Sequence, residues 1–416
     1  MKILNTQEHT FIENEFEKEQ LDKFNDSFKK DDFSYLGIHQ EFDGCELKLK
    51  SHYHIGYRWI DEDSYIHVAP KNAKGGFQAD YLKMFLTCLQ DPVVSKHLDE
   101  TYKIFFHEKW IDIGTNKDDI TPFLILEFLD IVYKISKKGL KKGYVKVTQN
   151  LTSKIKGRIL VDETIKQNSF KNRVDKTVCN HQIFTTNTIE NQILKTALLQ
   201  CSRNLYGIEN ESIAKLLKLN LNFFELVDKK NVVQTDFTTI RHSPFYKEYK
   251  KALHLAQMIF KRFGFSLSSS TKEQENKIPP FYINMPELFE RYVEIELRKK
   301  YGENLQAGYG QKSGNGYIWG LRPDFLVKDK KLIIDAKYKY WFEDTTDNKL
   351  KDDFQQLSLY GRVTKIREDI GLLDSEEAEL LFIYPKKDGE DEMSFEKFNN
   401  IYKMGIGLPY LDEKAH

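Results

Sequence analysis

Apolar and polar residues follow three different patterns along this chain of 416 residues. Up to about residue 118, apolar positions alternate with polar ones, as in Tyr57–Ile60 and Tyr65–Val68, which predicts strands with one buried face. Between residues 122 and 263 the apolar positions recur mainly at helical spacing. A polar stretch without periodicity follows, and beyond it short apolar strands alternate with amphipathic helices.

These patterns predict a multi-domain protein of the α+β class, long enough for several hydrophobic cores. The predicted parts are a β-rich α+β N-terminal region (1–120), a helical middle region (121–265), a linker (266–280) and a C-terminal α/β domain with a central mixed sheet (281–416).

Two short apolar segments near residue 330 carry acids that apolar strands rarely carry. Arg322–Val327 and Leu332–Lys337 are separated by four polar residues, a pattern that predicts a β-hairpin. If the two central residues of this break form the turn, the register places Asp324 directly opposite Asp335. Lys337 lies two residues beyond Asp335 and therefore on the same face. We expect two carboxylates and one ammonium to converge within a few ångströms.

Each of these residue types suits the hydrolysis of a phosphodiester. Carboxylate oxygens hold Mg²⁺, which keeps several waters and bridges to phosphate oxygens. A lysine beside the metal can polarise the scissile phosphate or position the attacking water. Asp324, Asp335 and Lys337 are therefore the predicted catalytic residues, with both aspartates as metal ligands. The alternative is a surface hairpin with solvated or cross-paired charges, which the three apolar residues before Asp335 disfavour.

A helix predicted from Met285 onward adds a third candidate carboxylate. Its apolar residues form one wide stripe, made of Leu288, Phe289, Tyr292, Val293 and Leu297. Glu290 lies at the border of this stripe, where it can lean toward the hairpin, and we predict it as a further catalytic and metal-binding residue. Glu296 lies nearer the centre of the stripe and is a rival on geometry alone. Glu287 and Glu294 are expected to be solvated.

A second helix is predicted around residues 353–360, where Gln356 and Tyr360 lie one turn apart on one face. An amide and a phenol in this arrangement can contact a DNA backbone or orient the lysine, so both are predicted as DNA-binding or positioning residues. The alternative for Tyr360 is a place in an ordinary amphipathic helix. A last strand, at residues 380–385, is expected to complete the mixed sheet.

The spacing of the acids resembles a known nuclease signature. Pro323 and Asp324 are followed, after ten residues, by Asp335 and Lys337 in the order Asp-x-Lys. This order is similar to the motif of the PD-(D/E)xK nuclease superfamily.

Together with its flanking elements, the hairpin looks like the nuclease domain of the McrC family, the endonuclease subunits of McrBC-type modification-dependent restriction systems. The flanking motifs are Leu-Phe-Glu at 288–290, Gln-x-x-x-Tyr at 356–360 and Ile-Tyr-Pro at 383–385. Further similar segments extend the resemblance over roughly residues 53–384, namely His67–Lys71, Glu127–Leu129, Lys138–Leu140, Gly143–Val145, Ile155–Ile159 and Thr186–Lys195. The chain departs from the family at Thr186 and Asn187, where the family tends to carry an aspartate, and nothing in the first fifty residues matches it.

The resemblance implies an endonuclease that uses Mg²⁺, with Mn²⁺ able to substitute, and that cuts double-stranded DNA after translocation by a hexameric AAA+ GTPase of the McrB type. It also implies that the N-terminal region docks into this motor and stimulates its nucleotide hydrolysis. The chain has no Gly-x-x-x-x-Gly-Lys-Ser/Thr loop of its own, so we do not expect it to be the motor.

Composition agrees with a nuclease that a partner recruits to DNA. The 63 basic and 63 acidic residues cancel, so no global positive field attracts nucleic acid. The four cysteines are widely spaced, which predicts a reduced, cytoplasmic protein rather than a zinc or disulfide framework. No apolar run approaches membrane-spanning length, so no membrane association is expected.

Two other functions remain open at this stage. The first is a stand-alone DNA repair exonuclease of the RecB-like group, which shares the Gln and Tyr helix and would need no nucleoside triphosphate. The second is a non-catalytic adaptor of an AAA+ motor, which the intact Asp324, Asp335 and Lys337 disfavour.

Overall fold

The structure is a computed structural model. It describes residues 2–12, 38–43, 46–60, 62–71, 78–105, 108–113, 120–204, 211–240, 244–262, 277–308, 322–339, 347–373, 375–387, 397–398 and 400–410. Most of the predicted linker lies outside the described residues. The chain divides into two compact units, one formed by Met1–Ile111 with Pro279–His416 and the other by Asp112–Ile278.

The strands within the described residues have the following bounds. They are β1 (Lys2–Gln7), β2 (His39–Asp43), β3 (Glu46–Lys50), β4 (His54–Trp59), β5 (Ser64–Ala69), β6 (Tyr102–Ile104), β7 (Ile111–Asp112), β8 (Gly143–Thr152), β9 (Arg158–Ile159), β10 (Lys176–Thr185), β11 (Lys277–Ile278), β12 (Phe281–Asn284), β13 (Leu305–Ala307), β14 (Phe325–Val327), β15 (Leu332–Ala336), β16 (Glu379–Lys387), β17 (Lys397–Phe398) and β18 (Ile401–Leu408).

The α-helices of the same residues are α1 (Tyr81–Gln90), α2 (Ile120–Lys138), α3 (Val161–Gln167), α4 (Ile189–Asn204), α5 (Glu211–Phe223), α6 (Gln234–Thr239), α7 (Lys247–Arg262), α8 (Met285–Tyr301), α9 (Asp347–Tyr360) and α10 (Thr364–Asp369).

The first unit contains a five-stranded sheet in the order β1-β5-β4-β12-β6, in which β1 and β5 are parallel and the other pairs are antiparallel. Strand β12 follows the predicted linker in sequence, yet it lies between two N-terminal strands. Gly56 permits this approach: its φ is 139°, and a Cβ there would lie 2.2 Å from the carbonyl oxygen of Phe281. The N-terminal and C-terminal segments therefore share one unit, which differs from the separate regions 1–120 and 281–416 predicted from the sequence.

The second sheet of this unit is mixed and has the order β13-β14-β15-β16-β18-β17. Strands β15, β16 and β18 are parallel, whereas β13, β14 and β15 form an antiparallel meander. The predicted combination of helices with a mixed sheet is confirmed. Strand β16 was expected to be the last strand, but β18 follows it and pairs along its other edge.

Two helices position side chains near the end of strand β15. On one face of the mixed sheet, Ile333 and Leu326 pack with Leu357 and Tyr360 of α9. Asp335 lies two residues after Ile333 in the same strand, so it faces the α9 side as well. Helix α8 buries the predicted apolar stripe, including Leu288, Phe289, Val293 and Leu297.

The second unit combines helices α2, α4, α5 and α7, which pack against one another, with a three-stranded antiparallel ribbon in the order β8-β10-β9. Strands β8 and β10 pair over ten residues each. The prediction of a helical middle region is therefore only partly right. The ribbon buries few of its residues, so its apolar alternation is weak and the helical spacing of its neighbours dominates the sequence pattern.

Candidate active site

The hairpin places the two predicted aspartates as expected. Strands β14 and β15 pair with Phe325 opposite Ile334, so the next positions in this register are Asp324 and Asp335. The turn is longer than the predicted two residues, because Lys328–Lys330 form a 3-10 turn and Lys331 adopts φ 50°. The register is unchanged, since this four-residue turn has the same centre as a two-residue turn would have.

Asp324 is fixed at both its backbone and its side chain. Its carbonyl oxygen accepts a hydrogen bond from the Gly308 N–H at 3.1 Å, and its Oδ2 accepts one from the Ala336 N–H at 2.7 Å. Burial, and then the charge of Asp335, raise the pKa of Asp324 to about 8. The carboxyl is thus held beside a second acid in a place that disfavours two negative charges.

Asp335 and Lys337 form a close ion pair at the end of β15. The Lys337 Nζ lies 2.7 Å from Asp335 Oδ2, and Asp335 is 1% exposed. Apart from this ion pair, Oδ2 has no hydrogen-bond partner of suitable angle. Burial raises the pKa of Asp335, although Lys337 opposes the shift. Burial is the largest single influence on Lys337 and would lower its pKa, but the charge and hydrogen bonding of Asp335, together with the charges of Asp324 and Asp353, outweigh burial and raise the pKa. The lysine is therefore a cation at neutral pH.

Glu290 lies on the side of α8 that faces these acids. Burial first, and then the charge of Asp324, raise its pKa well above the usual value, with a smaller effect from Asp335. Its rival Glu296 is 39% exposed and pairs with Lys299 at 2.6 Å. The structure therefore brings Glu290, and not Glu296, into electrostatic reach of the hairpin acids.

Glu294 was expected to be solvated, and this prediction is wrong. Its side chain is 2% exposed and lies between Arg291 and Arg298, the latter donating from Nε to Glu294 Oε1 at 2.8 Å. Two guanidinium groups offset the cost of burying this carboxylate. Glu287 is partly buried and also pairs with Arg291, at 2.8 Å.

Gln356 and Tyr360 extend from the lysine as a chain of hydrogen bonds. The Lys337 ammonium donates to Gln356 Oε1 at 3.1 Å, and Gln356 Nε2 donates to the Tyr360 hydroxyl at 2.7 Å. Tyr360 is 2% exposed, and burial raises the pKa of its phenol. Of the two roles predicted for this pair, orientation of the lysine is therefore visible in the geometry.

The sequence reasoning missed a second ion pair next to the first. Lys339 Nζ lies 2.9 Å from both carboxylate oxygens of Asp353, a residue 6% exposed. Asp353 raises the pKa of Asp335 and Lys339 lowers it, so both charges reach the hairpin acids. The available signals were that Lys339 continues the period-2 face of Lys337 and that Asp353 precedes Gln356 by three residues in α9.

The donor chemistry fits a hard divalent cation. Asp324 and Asp335 are paired acids whose pKa values are both raised, and Asp335 Oδ2 lacks a hydrogen bond, so a cation between them would relieve both conditions. Within the described residues, no group of three or more Asp, Glu, His or Cys side chains is arranged to hold a metal ion. Mg²⁺ keeps several waters and is commonly bound by one or two carboxylates, so a pair of aspartates suits it.

The family model described as the McrBC 5-methylcytosine restriction system component matches residues 49–385, which is most of the chain. The chain is therefore a member of the McrBC family. Among curated protein sequences, none matches the chain.

Solved structures that are similar to this chain include the following two. One chain of a refined half-complex from a tetradecameric assembly of Thermococcus gammatolerans McrB AAA+ hexamers with bound McrC is 16% identical, with a TM-score of 0.41, over 100% of this chain and 96% of that chain. One chain of the cryo-EM structure of the Thermococcus gammatolerans McrBC complex is 15% identical, with a TM-score of 0.32, over 71% of this chain and 87% of that chain. Both TM-scores are low, so neither likeness establishes a shared fold.

Within the described residues, no helix has both the length and the apolar character needed to cross a membrane.

Proposed function

We propose that this chain is the Mg²⁺-dependent DNA endonuclease subunit of an McrBC-like restriction complex. The observation that carries the proposal is the convergence of Asp324, Asp335 and Lys337 on one face of the mixed sheet, with the lysine held by both Asp335 and Gln356. Membership in the McrBC family supplies the biological context. The nuclease fold, of the PD-(D/E)xK type, is part of the same proposal.

Asp324 and Asp335 would hold the metal, with Glu290 joining through a bound water. When bound, Mg²⁺ supplies charge neutralisation at the phosphate and lowers the pKa of a coordinated water. The raised pKa of the two aspartates means that each competes for a proton when no cation is bound. Metal affinity is therefore expected to rise with pH up to about pH 8, where Asp324 loses its proton.

Lys337 acts as a fixed positive charge rather than as a base. Its raised pKa keeps it protonated at neutral pH, so it donates hydrogen bonds and cannot accept the proton of an attacking water. The ion pair with Asp335 and the hydrogen bond to Gln356 hold the ammonium in place, and its three protons leave it able to donate to a phosphate oxygen or the attacking water as well. Tyr360 fixes Gln356 in turn, since the amide nitrogen donates to the phenol oxygen. The preorganised cation stabilises negative charge that develops on the phosphate.

The partner in this proposal is a hexameric AAA+ GTPase of the McrB type, which translocates double-stranded DNA and delivers it to the site. One of the similar solved structures contains McrB AAA+ hexamers with bound McrC. The absence of net charge on this chain fits recruitment through a protein rather than through its own DNA affinity. The expected docking region, residues 1–120, remains a prediction.

The β8-β10-β9 ribbon adds a second candidate for contact with the motor. Large apolar side chains are exposed on it and on the segment that joins its strands: Phe170 is 80% exposed and Val174 is 93% exposed. The rings of Tyr144 and Phe184 lie 5.1 Å apart and are also exposed. Exposed apolar side chains that lie close together are typical of protein interaction sites. We propose this ribbon as a docking surface in its own right.

Partner dependence separates this proposal from a stand-alone exonuclease. Closed circular DNA carrying methylated cytosine would be incubated with Mg²⁺ and the protein, with and without its AAA+ partner and GTP. The proposal predicts linearisation only when all components are present. Degradation of linear DNA by the chain alone, without nucleotide, would favour the RecB-like alternative. Stimulated nucleotide hydrolysis without any cutting would favour the adaptor.

The ribbon contribution has its own test in the full-length protein. Phe170→Ser and Val174→Ser remove exposed apolar groups with little effect on folding, because neither side chain is buried. We expect both to reduce stimulation of the motor's nucleotide hydrolysis. Leu226→Ser, at a residue 83% exposed in the same unit but outside the ribbon, is the matched control. Equal stimulation by all three variants would exclude the ribbon from the docking surface.

A further inference from the structure

A carboxylate from the very beginning of the chain is buried close to the candidate active site. Glu8 follows β1 and is fully buried, with its N–H donating to the Ala69 carbonyl at 2.9 Å. The next residue, His9, has φ 57° and donates its N–H to the His52 carbonyl at 2.9 Å. The backbone around Glu8 is therefore held in a tight turn. This turn precedes the residues that the family model matches, which begin at residue 49.

The side chain of Glu8 connects two distant segments of the same unit. Its Oε1 accepts hydrogen bonds from the Lys71 N–H and from the Tyr338 hydroxyl, both at 3.1 Å. Its Oε2 is buried without a hydrogen-bond partner. Burial raises the pKa of Glu8 to about 7, which measures how unfavourable its surroundings are for a charge. A carboxylate kept at such a cost serves stability poorly, because an apolar residue of similar size would fill the space at lower cost.

Tyr338, the partner of Glu8, directly follows the catalytic lysine in sequence. Strand β15 ends at Ala336, and the Lys337 N–H donates to the Ile383 carbonyl at 2.8 Å as the chain leaves the sheet. Just beyond this bond, the Lys339 N–H donates to the Lys337 carbonyl at 2.8 Å, which turns the segment away from the strand. The Tyr338 side chain is therefore well placed to fix the direction in which this segment leaves the strand.

The ring of Tyr338 also reaches the helix that carries the third carboxylate. Tyr338 is 4% exposed, and its ring centroid lies 5.8 Å from that of Phe289 and 6.0 Å from that of Tyr53. Phe289 immediately precedes Glu290 in α8. Tyr338 is thus the chain neighbour of one predicted site residue, Lys337, and its ring packs against the chain neighbour of another, Glu290.

We propose that Glu8 is a positioning residue for the nuclease centre: by accepting the Tyr338 hydroxyl, it fixes the Lys337–Lys339 segment and so the direction of the Lys337 ammonium. This inference rests on the proposed function. Strand β1, which Glu8 directly follows, thereby gains a role in positioning the site that the resemblance to the McrC family does not imply. The Lys71 N–H donates to the same carboxylate oxygen of Glu8, so this residue also helps to hold the Glu8 side chain in place.

The test uses the full-length protein in its complete cleavage reaction, with Mg²⁺, nucleotide and the AAA+ partner. Tyr338→Phe removes one oxygen atom and leaves the ring contacts, while Glu8→Ala removes the acceptor. Glu8→Gln retains an oxygen that can accept both hydrogen bonds. Thr10→Val is the matched control, because the Thr10 hydroxyl donates to the Gln7 carbonyl in the same turn without touching Tyr338.

Single-turnover cleavage, DNA affinity and thermal unfolding would be measured for each variant. We expect Tyr338→Phe and Glu8→Ala each to cut about tenfold more slowly, as is common when a group that orients an active-site residue is lost. The double variant should be no slower than the slower single variant, because both remove the same hydrogen bond. Glu8→Gln should restore most of the rate, and Thr10→Val should cut normally. DNA affinity should be unchanged throughout.

Several results would overturn the inference. Cleavage by Tyr338→Phe at the wild-type rate would by itself overturn the inference, even if Glu8→Ala failed to fold. Slow cleavage by Thr10→Val would assign the effect to a loosened turn, and additive losses in the double variant would assign it to two unrelated defects. Undiminished cleavage by an Asp335→Ala protein would refute the proposed function itself, an outcome distinct from all of these.

Discussion

Replacement of Asp324 by Asn should stabilise the metal-free protein while destroying its activity. The folded chain holds Asp324 at a pKa of about 8, against an ordinary value of 3.8. Between about pH 4 and about pH 8 the folded chain therefore retains a proton that the unfolded chain has released, and stability falls as the pH rises. An amide cannot ionise, and its oxygen can still accept the Ala336 N–H. The variant should escape this loss.

The size of the effect follows from the pKa difference. At pH 7, which lies about three pH units above the ordinary pKa, the loss of stability has a ceiling of about 4 kcal/mol, at about 1.36 kcal/mol per pH unit. Relaxation and water entry reduce such penalties, so we expect ~2 kcal/mol. For a unit of this size that free energy corresponds to a rise of about 5 °C in the unfolding temperature.

The assay is thermal unfolding with a chelator present, at about pH 5 and about pH 8, followed by the same measurement with Mg²⁺. Asp324→Asn should gain little at the lower pH and most at the higher pH. Mg²⁺ should stabilise the wild-type protein and leave the variant almost unchanged. Asp329→Asn, in the exposed turn of the same hairpin, is the control. A pH-independent gain, or a variant less stable than the wild type at about pH 8, would refute the reasoning.

Four further outcomes follow from the site. Lys337→Met should lower the single-turnover cleavage rate by about 10²–10³, the usual loss of a charge that stabilises the transition state, with DNA affinity preserved; a loss below tenfold would argue against its role. Gln356→Ala should cost about tenfold because the lysine loses one of its two partners, whereas Leu359→Ala, on the exposed side of the same helix, should cut normally. Tyr360→Phe should resemble Gln356→Ala in rate, and a normal rate would return Tyr360 to a purely structural role. The Mg²⁺ concentration needed for half-maximal cleavage should fall as the pH rises from about 6 to about 8, as titration of the metal dependence would show.

The hairpin could be predicted from the sequence because its information is local. Acids that follow an apolar run have few structural reasons to be there, and the period of two fixes which residues share a face. The turn chemistry was less accessible, since Lys331 adopts a positive φ without being glycine or asparagine. The predicted register of β14 and β15 is nevertheless correct, because it depends on the centre of the turn and not on the number of residues in the turn.

The acids of α8 show where a helical period stops being informative. The apolar stripe was identified correctly, and Glu290 lies at its border as expected. Glu294 is nevertheless buried, because Arg291 and Arg298 neutralise it inside the unit. From helical periodicity alone, a charged side chain is expected to be solvated. The periodicity carries no information about the opposite charges that tertiary packing places beside that side chain.

Long-range pairing was the part that the sequence concealed. Strand β12 has only four residues, and its place between β4 and β6 depends on strands more than a hundred residues earlier in the chain. The contact between Glu8 and Tyr338 joins residues 330 positions apart. No local period reports such contacts, so the predicted boundary between N-terminal and C-terminal regions does not match the compact units.

The central claim is that the hairpin acids perform metal-dependent cleavage of DNA, and the most direct test is the Asp335→Ala protein in the complete reaction. Methylated DNA, Mg²⁺, GTP and the AAA+ partner would be incubated with the wild-type or the variant chain, and both DNA cleavage and nucleotide hydrolysis would be followed. We predict that the variant stimulates nucleotide hydrolysis as the wild type does and makes no double-strand cuts. Cleavage by the variant at the wild-type rate, at the same Mg²⁺ concentration, would contradict the assignment of this site.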